Sequence, residues 1–271
     1  MNNQQPKPDS KHYSDLIADI QKGIIKIPKF QREFVWNIDK TSQLLDSILK
    51  GYPIGTFILW QTSERMADVK NIGNLDIPET PDGQKVQYVL DGQQRITSLY
   101  AAYCGAKIQR EGEKKITDYN LIYVDLDRNI DDDDVQVITS EKPEGDYISL
   151  SEVLNLRASS IRDLQKMYTD EKIDKITSYS DTFKSYDFSV VLLRKESVDS
   201  AIEVFTRINT GGQTLTLFEI MSAKTYDENQ HFDMEDKWSD FSKKLADKKY
   251  DGVSSSIMLN LLSLVLSPTK E

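Results

Sequence analysis

An α+β fold, a mixed sheet with flanking helices followed by a mainly helical C-terminal part, is predicted by three features of the sequence. Four stretches rich in β-branched and aromatic residues read as strands: GTFILWQT (55–62), KVQYVLD (85–91), NLIYVDLD (120–127) and FSVVLLRK (188–195). Segments with apolar residues at the helical spacing lie between them and dominate from Ser200 onward. No internal repeat, low-complexity tract or Pro- or Gly-rich linker interrupts the chain.

The elements follow in order. The first dozen residues, MNNQQPKPDSKH, read as a flexible lead-in, and 13–227 as the main domain. Ser14 is placed to cap a helix carrying Leu16, Ile17, Ile20 and Ile24 on one face. Leu44, Leu45, Ile48 and Leu49 form a second helical stripe, which Gly51 ends. In the strand at 85–91, Val86, Tyr88 and Leu90 alternate with Gln87. Ile96, Leu99, Tyr100 and Tyr103 then fall at i, i+3, i+4 and i+7, so a core-facing helix follows that strand. The stretch 150–185 reads as a helical insertion. Ser200 with Glu203, and Thr216 with Glu219, match capping boxes of two later helices. Residues 228–271 read as a helical extension opening a truncated C-terminal domain, because SIMLNLLSLVLS (256–267) is apolar on most sides.

Composition narrows the function classes. The 271 residues contain 34 Lys and Arg against 44 Asp and Glu, a net charge of −10, so contact with DNA requires a local basic groove or a partner domain. One cysteine, Cys104, excludes an internal disulfide and suits a reducing compartment. Two histidines, His12 and His231, leave little material for a histidine-based metal site or nuclease motif. No stretch reaches the roughly 18 apolar residues of a membrane span, and the N-terminal residues carry no apolar signal region, so a cytoplasmic location without membrane contact is expected. The acidic run DRNIDDDD (127–134) reads as a solvated loop rather than a metal site.

The chemistry concentrates in VLDGQQRIT (89–97), where a strand runs into a helix through five polar residues. Such a turn aims backbone N–H groups at the helix N-terminus, where an anion is stabilised. Gly92 permits both the turn and close approach of a ligand to the backbone. Arg95 offers a planar fork matching phosphate oxygens. Asp91 is suited to holding Mg²⁺ or a water, with Gln93 and Gln94 orienting either. Asp-Gly is equally an ordinary turn dipeptide, and Gln and Arg are at ease on exposed helix starts. The string alone leaves both readings open. Two further stretches place polar residues in apolar or glycine-linked frames. IPKFQREFVW (27–36) carries Gln31 and Arg32, and VFTRINTGGQTLTLFE (204–219) carries Arg207, Asn209, Gly211 and Gly212. Each arginine also admits a structural reading, its stem packed and its head paired with a carboxylate.

The order of IPKFQREFVW, LLDSILKGYPIGTFILW (44–60), YVLDGQQRITSLYAAY (88–103) and FTRINTGGQTLTLFE resembles the N-terminal domain of the GmrSD type of modification-dependent restriction endonucleases, a ParB-like family. The resemblance covers about 27–225 and implies a ParB/sulfiredoxin-like fold. It implies binding and Mg²⁺-dependent hydrolysis of a nucleoside triphosphate of unspecified base. It further implies coupling to recognition or cleavage of modified or foreign DNA in phage defence. By position it implicates Arg32, Asp91, Gly92, Gln93, Gln94, Arg95, Arg207, Asn209 and Gly212, and Gln31 stands beside them. Asp91, Gln93, Gln94 and Arg95 are expected to be catalytic, with Asp91 on the metal. Gln31, Arg32, Gly92, Arg95, Arg207, Asn209 and Gly212 are expected to hold phosphate. The family's HNH-type nuclease domain has no counterpart in this sequence, so a C-terminal nuclease domain or a partner chain is expected to cut DNA, and a homo-oligomer is compatible. Two alternatives stand beside this expectation: a nucleotide-controlled DNA clamp or adaptor without turnover, and a ParB-fold phosphotransferase. Sulfiredoxin chemistry is excluded because Gln93 and Gln94 stand where its cysteine is required.

Overall fold

The central strands are apolar on both sides because helices cover both faces of the sheet they form. A computed structural model describes residues 6–31, 34–68, 71–72, 75–109, 114–128, 135–141, 143–194, 197–208, 216–227 and 230–266. The first half of the chain runs β1 (Lys7–His12), α1 (Tyr13–Gln21), β2 (Ile25–Lys26), α2 (Ile38–Leu49), β3 (Phe57–Thr62), β4 (Asn71–Ile72), β5 (Leu75–Asp76), β6 (Val86–Asp91) and α3 (Gln93–Cys104). There follow β7 (Lys107–Gln109), β8 (Ile116–Asp118), β9 (Ile122–Asp125), β10 (Val137–Thr139) and β11 (Tyr147–Ser149). The helices α4 (Leu150–Leu154), α5 (Ala158–Leu164) and α6 (Asp170–Ser185) precede β12 (Asp187–Leu193). The chain continues with α7 (Val198–Ile208), α8 (Leu217–Thr225), α9 (Met234–Asp247) and α10 (Ser255–Leu266).

The main sheet has the order β1-β12-β3-β6-β2 and is mixed. β12 runs parallel to β3 and β2 parallel to β6, whereas β1 and β12, like β3 and β6, are antiparallel. Alternation along the strands divides the core. Phe57, Leu59 and Val89 point into the larger cluster with α1, α2, α3 and α6, while Trp60, Val86, Tyr88 and Leu90 point to a smaller one closed by α7 and α8. A three-stranded sheet, β10-β9-β11, stands beside α2, where the Asp46 carboxylate accepts the Gln136 and Val137 amides. The α+β class and the mixed sheet agree with expectation.

Three local expectations fail for identifiable reasons. Lys7–His12, read as part of a lead-in, pairs along β12 as an edge strand; its own residues are nearly all exposed, so no apolar alternation marks it. The residue at the N-cap of α1 is His12, not Ser14, because burying Tyr13 against the core draws the helix start forward. In α7 the Ser200 amide donates to the Ser197 hydroxyl at 3.3 Å, so the cap lies three residues before the expected one. Val198 then joins Ala201, Ile202 and Phe205 on the apolar face. The Thr216–Glu219 box is present at α8. In the acidic run, Asp127 is exposed and pairs with Lys172 at 2.7 Å, while residues 129–134 lie outside the described residues.

Candidate phosphate-binding turn

Gly92 makes the turn from β6 into α3. Its φ of +92° is a left-handed conformation that side chains disfavour, and a Cβ there would overlap the Phe57 ring. The first intrahelical bond runs from the Ile96 amide to the Gly92 carbonyl at 3.0 Å, and Gly92 brings no capping side chain. The amides of Gln93, Gln94 and Arg95 therefore form the opening turn of the helix, where its dipole is positive.

A β-bulge precedes this turn. Ile58 lies opposite Asp91 while Leu59 lies opposite Val89, which leaves Leu90 as the extra residue. Two successive carbonyls at the bulge are reached by one donor: Gln31 Nε2 donates to Val89 O at 2.8 Å and to Leu90 O at 3.1 Å. The Gln31 amide expected to meet phosphate instead braces the strand that ends in Asp91.

Gln94 and Arg95 also turn toward the protein. Gln94 is buried, and its Oε1 accepts the Val35 amide at 2.9 Å and the Trp36 amide at 3.3 Å, fastening the segment after residue 33 to the helix start. Arg95 donates through Nη1 to Ile54 O at 2.7 Å and through Nη2 to Thr56 O at 2.9 Å, with its guanidinium 5.0 Å from the centre of the Phe57 ring. The fork expected to clasp phosphate thus clamps the strap 54–56 that leads into β3. Gly55 makes this possible, since its φ is +89° and a Cβ there would come within 2.6 Å of Arg95 Nη1. Burial pulls the Arg95 guanidinium below its ordinary pKa, against the opposing influence of Asp91.

Asp91 is the accessible member of the group. Its side chain is 48% exposed, against 16% for Arg95, and its Oδ2 lies 3.5 Å from Arg95 Nη2. One carboxylate of this kind suits Mg²⁺ held mainly through a substrate's phosphates, since Mg²⁺ is commonly bound by one or two carboxylates and keeps several waters. Among the described residues no group of three or more His, Cys, Asp or Glu side chains is arranged to hold a metal by itself.

Phe30 and Phe205 pack edge to face at 5.0 Å, which brings the C-terminal end of α7 beside the segment carrying Gln31. Described parts of all four sequence stretches therefore approach the end of β6, the fourth through Phe205, which shares a core with Phe30 and Leu90. Residues 13–226 match the family described as GmrSD restriction endonuclease, N-terminal domain. The chain belongs to this family. An uncharacterized protein of Methanocaldococcus jannaschii is 24% identical over 272 residues, covering 90% of this chain and 46% of that protein. The chain thus spans about half the length of the curated relative it matches.

Within this GmrSD domain, Arg207 stands apart from the turn's bonding: it is 77% exposed and pairs with Glu203 Oε1 at 2.7 Å, one helical turn back. Arg32, Asn209 and Gly212 lie outside the described residues. Sequence reasoning missed Gly55 and Phe57, whose signal was available in PIGTF: a glycine two residues before a strand start. It also missed Lys29, which joins the same ribbon to α9 through Asp236 at 2.7 Å and Asp233 at 2.9 Å. Burial lowers the Lys29 pKa, but the bonds to Asp236 and Asp233 outweigh it and hold the value above normal. Burial raises the neighbouring Glu235 carboxyl, Lys29 opposes the shift, and Asp233, Asp236 and Glu219 add to it. A cavity of about 30 Å³, room for at least one water, lies between Lys29, Phe30 and Ala67 on one side and Glu219, Ser222 and Glu235 on the other.

Proposed function

We propose that this chain is the nucleotide-responsive module of a DNA-targeting restriction system, binding a nucleoside triphosphate with Mg²⁺ at residues 91–95 and hydrolysing it to gate recognition or cleavage of modified or foreign DNA. A C-terminal nuclease domain or a partner chain performs the cut. The observation carrying the reading is the braced, uncapped start of α3 at Gly92, with the half-exposed Asp91 carboxylate beside it. Family membership supports the DNA-targeting part.

The roles divide within the motif. The backbone at Gly92 and Gln93 receives phosphate oxygens, because N–H groups fixed at a helix N-terminus stabilise negative charge without reorganising. Mg²⁺ neutralises developing charge on the phosphates when bound. Asp91 orients that ion or the attacking water, and the buried Gln93 side chain supports the same position. Gln31, Gln94 and Arg95 act as positioning residues. Arg32, Arg207, Asn209 and Gly212 add charge and backbone contacts to the phosphates in this reading.

Melting scans with ATP, GTP, CTP and UTP, each with Mg²⁺, test the reading first. A nucleotide at a hundred times its dissociation constant stabilises the fold by about 2.7 kcal/mol. Phosphate release then measures turnover and should disappear in Asp91→Ala. A shift without release identifies the clamp reading, a phosphorylated product identifies the phosphotransferase, and no shift with any nucleotide removes the turn as a nucleotide site.

A further inference from the structure

Three successive side chains of one tight turn reach three different elements. Pro28 to Gln31 close a four-residue turn in which the Gln31 amide donates to Pro28 O at 3.1 Å, and the Lys29 amide ties it to Ala67 O at 2.9 Å. From this turn Lys29 bonds to α9, Phe30 packs on Phe205 of α7, and Gln31 holds Val89 O and Leu90 O at the end of β6. A hydrogen-bonded turn has too few free torsions to move one of these contacts without the others.

The α9 end of this connection is built to part. Asp233 caps the helix, accepting the Glu235 amide at 2.9 Å and the Asp236 amide at 3.3 Å, and Lys29 bonds the same carboxylate. Glu235 Oε2 stands 4.0 Å from the ammonium, and Glu219 lines the same small cavity as Lys29 and Glu235. One ammonium thus stands among four carboxylates, which repel one another once it withdraws. No residue of α9 is fully buried, and Trp238 rests on Phe218 at 6.2 Å a turn further along. The helix start therefore has two arrangements, latched and released, and charge sets the balance between them.

We propose that the turn Pro28–Gln31 is an allosteric relay coupling nucleotide occupancy at 91–95 to the docking of α9. Phosphate held at Gly92, with Mg²⁺ at Asp91, immobilises the end of β6. Gln31 passes that constraint to the turn, Lys29 is kept among the carboxylates, and α9 stays latched. Loss of the nucleotide loosens the strand end and releases the helix start. The coupling runs both ways, because a ligand that favours the latched state binds that state more tightly. The relay rests on the nucleotide reading of residues 91–95.

Hydrogen exchange of the full chain at the Asp236 and Lys237 amides, both bonded to Asp233, reads the latch. The nucleotide giving the largest melting shift, saturating and with Mg²⁺, should slow both amides at least about fivefold. Lys29→Ala should speed them and weaken that nucleotide by a comparable factor, and Lys29→Arg should restore both. Gln31→Ala removes no contact of α9, yet should speed the same amides, and much less so when Lys29→Ala is already present. A strut without a relay function would speed exchange and leave nucleotide affinity at the wild-type value; that result overturns the relay. Additive effects of the two variants overturn it too, as does α9 exchange unmoved by a nucleotide that raises the melting temperature. No melting shift with any nucleotide overturns the nucleotide reading itself, and the relay with it.

Discussion

The turn at 91–95 and the arm formed by α9 are both tied to one short ribbon, Ile27–Gln31, by neighbouring residues and by different physics. Gln31 reaches two bulge carbonyls of β6, and Phe30 closes a core between them and α7; these are short-range contacts in packed surroundings. Lys29, two residues earlier, reaches out to α9 through charge, and no residue of α9 is fully buried. One connection depends on geometry that cannot relax, the other on an attraction that salt weakens. The difference teaches where this molecule is built to hold a shape and where it is built to respond.

Gly92→Ala should break the comparison hardest on the packed side. Left-handed strain and the clash with Phe57 together cost about 2–4 kcal/mol, read as a fall in the urea midpoint with the nucleotide shift abolished. Arg95→Ala comes next, leaving the Ile54 and Thr56 carbonyls without their donor at about 2–3 kcal/mol. Arg95→Lys should recover only part of this, because an ammonium lacks the planar fork. Arg207→Ala is the control: an exposed one-turn ion pair contributes under about 0.5 kcal/mol, so any larger loss in nucleotide binding than in stability marks Arg207 as a phosphate contact.

On the charged side the effects are smaller and depend on conditions. Lys29→Ala should cost about 0.5–1 kcal/mol, with faster hydrogen exchange in the first turn of α9, and the difference from wild type should shrink as salt rises. A cost independent of salt would show that α9 is held by packing after all. Glu235→Gln should have the smallest effect and the opposite sign. The folded pKa of Glu235 is raised, so the stability it contributes is present below the unfolded carboxyl value and lost as pH rises through the folded one. The variant should therefore melt slightly higher than wild type near neutral pH, and the gap should close below about pH 4.

Legibility in the sequence followed the range of the interactions. The strands β3, β6, β9 and β12 and the helices α2 and α3 were readable because burial imprints a local period. The Gly51 stop and the Thr216–Glu219 box were readable because both operate within one helical turn. β1 was not, since an exposed edge strand of polar residues carries no alternation and exists only because β12 offers it a partner. The short strands of the second sheet escaped for a related reason: three residues are too few to display a period. In the site, Asp91 to Arg95 were recognisable as a group, but their division of labour was not.

The sequence by itself determined that a strand enters a helix at Gly92, that the chain carries the ordered stretches of the GmrSD N-terminal domain, and that its net charge of −10 opposes DNA. Only the tertiary structure decided that Arg95 and Gln31 point inward to carbonyls 39 to 59 residues away, while Asp91 keeps its access to solvent. The reason is that a half-buried donor bonds the unsatisfied acceptor nearest in space, and which acceptor that is depends on how distant strands come to lie side by side.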